Sequence, residues 1–329
     1  MLIDVQGLGK TFTDTSVRLG PKPKPVRAVD DVSFQVLKGE TLAVVGESGC
    51  GKSTLGRLLL HLIRPSEGRV RLDGSDLTGL SKAALRQMRA RMQMVFQDPF
   101  GSLSPRRTVA QIITEPMESF GLVRSRAQRR ERVAELLEQV GLPAAYMDRR
   151  PRQFSGGQRQ RIGIARAISV DPAFIVADEP VSALDVSVQA QIINLLQDLQ
   201  EQKNFSFLFI AHDLAVVRHI AHRVAVMYLG RIVEIGAKEQ IYSAPQHPYT
   251  EALLSAAPHP DPDRHQNRIV LQGDVPSPSN LPSGCAFHGR CPIAQEVCVR
   301  ERPRLVEVAP GQRAACHFAR PHPLTGAAA

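Results

Sequence analysis

Residues Gly46-Glu-Ser-Gly-Cys-Gly-Lys52-Ser53 spell G-x-x-x-x-G-K-S between the apolar run Thr41-Leu-Ala-Val-Val and the apolar segment Ser53 to Leu62. A strand, a glycine-rich turn and a helix in that order make a cradle for phosphates. Glycines let the backbone wrap the anion, while N–H groups and the helix N-terminus supply positive potential. Lys52 is then placed to reach the β and γ oxygens of a nucleotide, and Ser53 to bind Mg²⁺. At average residue frequencies the pattern arises by chance in roughly 1% of chains this long. Within the loop, Cys50 reads as a tolerated residue whose place near a helix N-terminus could lower its pKa and make it reactive.

Such a loop belongs at the edge of a parallel sheet, and the sequence supplies the strands. Phe174-Ile-Val-Ala and Phe205 to Ala211 are apolar on both faces, which predicts buried parallel strands covered by helices on both sides. The first of them ends in Asp178-Glu179. A carboxylate at the end of a buried strand is what Mg²⁺ needs on its other side, and Glu179 is placed to polarise a water aimed at the γ-phosphate. Residues 1–35 read as strand and loop, with a proline- and lysine-rich insertion around Gly20 to Val26 forming an exposed turn. Helical patterns dominate from about 98 to 165, so a helical subdomain is expected there. With 43% hydrophobic residues, the 329-residue chain can bury one large α/β core and carry an appendage.

Between the two phosphate-site elements lies Phe154-Ser155-Gly156-Gly157-Gln158-Arg-Gln-Arg161, which resembles the signature sequence of the ATP-binding cassette (ABC) ATPases. Gln97 in Val-Phe-Gln-Asp-Pro is similar to the Q-loop of that family, Ser182-Ala-Leu-Asp185 to the D-loop, and His212 to the switch histidine. Phe12 is similar to the aromatic that stacks on adenine, with a buried core aromatic as the alternative. The resemblance implies a P-loop NTPase fold of ABC type: a RecA-like parallel-sheet core, an antiparallel β subdomain and a helical subdomain. It also implies ATP and Mg²⁺ as cofactors. The loop residues Gly46, Glu47, Ser48, Gly49, Cys50, Gly51, Lys52, Ser53 and Thr54 would hold the nucleotide together with Asp178. Ser53, Gln97 and Asp178 would hold Mg²⁺, while Glu179, His212 and Gln97 carry the catalysis. In a head-to-tail dimer, Ser155, Gly156, Gly157 and Gln158 of one subunit would cap the γ-phosphate bound by the other, with Asp185 alongside.

The resemblance narrows to the peptide-importer branch through Met94-Val-Phe-Gln-Asp-Pro-Phe-Gly-Ser-Leu-Ser-Pro-Arg and Gln246-His-Pro-Tyr-Thr-Glu-Ala-Leu-Leu-Ser. That branch implies a cassette over 1–244 and a regulatory, metal-binding extension over 245–329. It further implies a second ATPase subunit, two permease subunits and an extracytoplasmic solute-binding protein. The chain would then be a peripheral protein on the cytoplasmic face of the inner membrane, energising di- or oligopeptide uptake. Nickel, glutathione and haem remain open as cargo.

Composition limits the rivals. The chain has no uninterrupted apolar stretch of about 18 residues and no basic segment followed by an apolar one at its start, so neither a membrane span nor a secretory signal is expected. A net charge of +9 admits nucleic acid as a partner. The densest basic run, Arg124 to Arg132, continues into Val133, Leu136, Leu137 and Val140 at helical spacing and reads as the solvated face of an amphipathic helix. Nucleic-acid-associated ABC ATPases usually carry tandem cassettes or a long coiled coil; this chain has neither, and no nucleic acid is expected. Four of the five cysteines, Cys285, Cys291, Cys298 and Cys316, fall in a loop-rich tail. In a cytosolic protein this clustering points to metal rather than disulfides, although the spacing matches neither the zinc knuckle nor the ferredoxin run. By resemblance the tail would bind a 4Fe–4S cluster. His288 and His317 keep zinc open as the alternative. A third reading, an iron–sulfur redox protein with incidental nucleotide binding, is opposed by the complete set of hydrolysis motifs.

Overall fold

Thr41–Val45 forms a strand in which every side chain is buried, as five consecutive apolar or β-branched residues demand. The computed structural model of the chain describes residues 1–13, 24–256 and 269–319, with the side chains of Pro99 and Phe100 left aside. Most of the proline- and lysine-rich insertion read as a turn, residues 20–23, lies outside the described residues. The chain forms two compact units.

The first unit is drawn from Met1–Ile3, Val36–Thr41 and Arg71–Ile210. Its strands Met92–Val95, Phe174–Asp178 and Ser206–Ala211 lie side by side and parallel, with Met92 opposite Phe174 and Phe174 opposite Ser206. Phe174, Val176, Phe207 and Phe209 are fully buried, as their two-faced apolar pattern predicts. From Pro99 to Ile168 the unit is largely helical. The helix Arg126–Gln139 starts at Ser125, whose hydroxyl accepts from the Gln128 N–H while the Gln128 side chain accepts from the Ser125 N–H. Val133, Leu136 and Leu137 face the interior. Arg129, Arg130 and Arg132 of the basic run pair with Glu118, Asp148 and Asp171, while Arg124 and Arg126 are exposed.

The second unit is drawn from Asp4–Gln35, Leu42–Val70 and the described residues from Ala211 onward. Here Thr41–Val45 runs parallel to Arg223–Tyr228, which pairs antiparallel with Arg231–Ala237. An antiparallel layer holds Ile3–Phe12 between Val26–Val36 and Glu67–Leu72. The loop-rich tail also contributes two short strands. Gln312–Ala314 pairs with Arg231–Ala237 and turns back onto Val306–Ala309, so two tail strands extend the sheet.

A buried carboxylate fastens this extension. Glu234 is fully buried and accepts from the Gln246 N–H at 2.8 Å, the His247 N–H at 3.0 Å and Gln312 Nε2 at 2.8 Å. Burial pushes its carboxyl above the usual carboxylate range, and these donors oppose that push. No helix among the described residues is long and apolar enough to cross a membrane.

Candidate nucleotide site

In the second unit the phosphate loop is shaped by two close backbone approaches. A Cβ on Gly46 would lie 2.1 Å from Met227 O, and one on Gly51, at φ 106°, would lie 2.1 Å from Ala28 O. Only glycine fits either position. Lys52, 4% exposed, folds back into the loop and donates from Nζ to Gly46 O at 2.7 Å and Glu47 O at 2.9 Å. Its charge is thereby held at the loop centre before any phosphate arrives. The helix Lys52–Leu59 begins at Gly51 with no side-chain cap, so the first-turn N–H groups are not taken by a capping side chain. Ser53 and Thr54 are half-buried in that first turn, whereas Ser48 and Gly49 are exposed. Cys50 fits its reading as a tolerated loop residue, and its surroundings do not make it reactive. It is 5% exposed, and burial pushes its pKa up against the opposing pull of Lys52.

Glu47 is gripped from the far end of the chain. Its N–H donates to Tyr249 Oη at 2.9 Å, and its carboxylate accepts from Arg290 Nη1 at 2.8 Å and Nη2 at 3.0 Å. Sequence reasoning found neither partner's role, because separations of 202 and 243 residues leave no periodic or spacing signal.

In the first unit, Asp178 ends its strand at 3% exposure. Glu179 follows in the left-handed region at φ 45°, with its N–H donating to Ile210 O at 3.0 Å. A non-glycine residue there costs about 1–3 kcal/mol, a strain that concentrates at functional sites. Gln97 Nε2 donates to Glu179 Oε2 at 2.8 Å, so two of the expected catalytic residues already touch. Ser155 caps the helix Gly156–Ile168, and its partner is Gln158: each side chain accepts from the other's backbone N–H. A Cβ on Gly157 would come within 2.5 Å of Val188 Cγ1. Asp185 stands exposed at the start of the helix Val186–Lys203 without capping it.

Back in the second unit, His212 is exposed directly after the strand Ser206–Ala211. Phe12 is 43% exposed, with Lys10 Nζ 5.2 Å from its ring centroid, so it is a surface ring and not a core aromatic.

Residues 29–182 match the ABC transporter family, and residues 233–298 match the C-terminal region of oligopeptide/dipeptide transporters. A probable peptide ABC transporter ATP-binding protein of Sinorhizobium fredii is 56% identical over 97% of this chain and 90% of its own length. The chain belongs to the ABC transporter ATP-binding proteins. The oligopeptide transport ATP-binding protein AppF of Bacillus subtilis, another member, is 51% identical over 96% of this chain and 97% of its own. Among solved structures, a dimeric ATP-binding cassette in a post-hydrolysis state, bound to ADP and Pi, has a TM-score of 0.64 at 28% identity over 72% of this chain and 99% of that one.

Beyond the ABC cassette, Cys285, Cys291, Cys298 and Cys316 all line one small cavity, together with His247, Phe287 and His288. All four are free thiols. Burial pushes Cys291 up to about 11 and raises Cys285 and Cys316 as well. Among the described residues no three His, Cys, Asp or Glu side chains come close enough to hold a single metal ion. His288 Nδ1 and His317 Nε2 are occupied by the Cys285 and Glu301 carbonyls. A tetrahedral zinc ion needs its sulfurs about 2.3 Å from one centre.

Proposed function

We propose that this chain binds MgATP, hydrolyses it, and so energises the import of di- or oligopeptides through a membrane ABC transporter. The observation that carries this reading is the oligopeptide/dipeptide transporter match over residues 233–298, in a chain whose phosphate loop is intact with Lys52 seated inside it. Lys52 and the loop N–H groups bind the phosphates, while Ser53, Asp178 and Gln97 serve Mg²⁺. Glu179 polarises the attacking water, His212 bonds the γ-phosphate and Phe12 stacks on adenine. Ser155 to Gln158 act in trans across a head-to-tail dimer with a second ATPase subunit, and Asp185 lies alongside. ATP is then part of the dimer interface, and hydrolysis releases the pair.

The cassette is assigned to 1–244 and the extension to 245–329. The helical subdomain over about 98–165 receives a permease, and a solute-binding protein delivers peptide outside the membrane. The expected result is stimulation of ATP hydrolysis by peptide-loaded solute-binding protein, in liposomes holding this chain and its membrane partners. Robust basal hydrolysis that ignores peptide but answers to nickel, glutathione or haem would replace the cargo and leave the motor.

By resemblance of the tail, a 4Fe–4S cluster would be held by Cys285, Cys291, Cys298 and Cys316, whose thiols line one small cavity, with zinc as the alternative. Such a cluster would cross-link a tail with few apolar residues and contribute to its folding. Anaerobically purified full-length protein is expected to absorb in the visible and to contain iron and sulfide. Colourless protein carrying stoichiometric zinc would replace the cluster with zinc.

A further inference from the structure

A carboxylate is an odd occupant of a loop that must cradle polyphosphate. Glu47 puts a negative charge next to Gly46, the first residue of the anion site, where it opposes the potential supplied by Lys52 and the helix N-terminus. The structure answers this with Arg290. Its guanidinium makes a two-pronged pair with the Glu47 carboxylate at 2.8 and 3.0 Å, and the two side chains are only 9% and 26% exposed. Water screens such a pair weakly, so the compensation is strong.

Arg290 is also held rigidly. It ends a short 3₁₀ turn, His288–Arg290, that starts after Phe287. Phe287 packs edge-on against Tyr228 at 5.3 Å between ring centroids and at a tilt of 57° against Tyr249 at 5.4 Å, and all three rings are at most 1% exposed. Tyr249 is the same residue whose hydroxyl accepts the Glu47 N–H. The turn is stitched to the cysteines as well: the His288 N–H donates to Cys285 O and the Cys291 N–H to His288 O. One aromatic platform therefore sets the backbone of Glu47, the reach of Arg290 and a wall of the cysteine cavity.

We infer that Arg290 is a positioning residue for nucleotide binding, through which the cysteine-bearing extension sets the charge and geometry of the phosphate loop at Glu47. The inference rests on the reading of that loop as the MgATP site. A change in the order of the Cys285 to Cys291 segment reaches the loop charge through this ion pair, and by linkage MgATP binding acts back on the segment.

The test is a double-variant cycle on the full-length chain, with the MgATP dissociation constant measured by calorimetry and the fold checked by circular dichroism. Arg290→Ala is expected to weaken MgATP binding about 10- to 30-fold, the effect of one uncompensated charge beside the phosphates at an effective dielectric near 20. In a Glu47→Gln background the same Arg290→Ala change is expected to cost less than about threefold, because the charge it must balance is gone. Arg290→Lys, which keeps the charge and loses the fork, is expected to fall between and serves if the alanine variant does not fold. Equal losses in both backgrounds would reduce Arg290 to a purely structural prop and overturn the inference. Wild-type affinity in folded Arg290→Ala would do the same. No MgATP binding by the unaltered chain would instead overturn the reading of the loop, and the inference with it.

Discussion

Glu179→Gln is expected to bind MgATP and to hydrolyse it at least about 10²-fold more slowly than the unaltered chain, the loss typical of removing a general base. The variant isolates the charge. Glutamine keeps the length of the side chain and can still accept from Gln97 Nε2, which now donates to Glu179 at 2.8 Å. The backbone bond from the Glu179 N–H to Ile210 O is untouched. What disappears is the negative oxygen that would polarise water toward the γ-phosphate. Phosphate release by the reconstituted transporter, with and without peptide-loaded solute-binding protein, is the readout. Turnover within a few-fold of the parent would remove Glu179 from the chemistry and leave it a ligand of Gln97.

The second large effect is steric. Gly51→Ala is expected to lower stability by about 3 kcal/mol or more and to abolish MgATP binding, because a new methyl would sit 2.1 Å from Ala28 O at a backbone φ of 106°. The obstacle is main chain, so no rotamer change relieves it. Gly49→Ala is the internal control. It shares a positive φ, 79°, yet a Cβ there meets nothing within 4 Å, so only the conformational cost of about 1–2 kcal/mol remains. Denaturant unfolding and calorimetric MgATP binding separate the two. Equal losses at both positions would mean that loop conformation alone, and not the closeness of the Ala28 carbonyl, sets the requirement for glycine.

The parts of the site legible in the sequence are those whose chemistry is local. A glycine-rich turn after an apolar strand, and Asp178-Glu179 at the end of another, need only a few consecutive residues to be recognised. Other features were present but masked by the functional reading. Ser155-Gly-Gly-Gln158 is also a capping box, in which serine and glutamine satisfy each other's backbone donors. Val306-Glu-Val-Ala, Pro310-Gly311 and Gln312-Arg-Ala carry the alternation and turn of a hairpin within the loop-rich tail. Burial of Cys50 and the Arg290 fork had no local signal at all, because both are made by residues far away in the chain. At Cys50 the pull of the nearby helix terminus and of Lys52 is outweighed by burial, which raises its pKa.

Gln312 is the side chain through which the tail strand reaches Glu234. A chain ending near residue 244 would strip Glu234 of Gln246, His247 and Gln312 together, leaving a carboxylate built for a dry interior with nothing to receive. It would also bare the hydrogen-bonding edge of Arg231–Ala237, a template for stray strands of other molecules. A cut near residue 244 would therefore open a continuous sheet, because the strands after it, Val306–Ala309 and Gln312–Ala314, are the outer margin of the sheet that holds Arg231–Ala237.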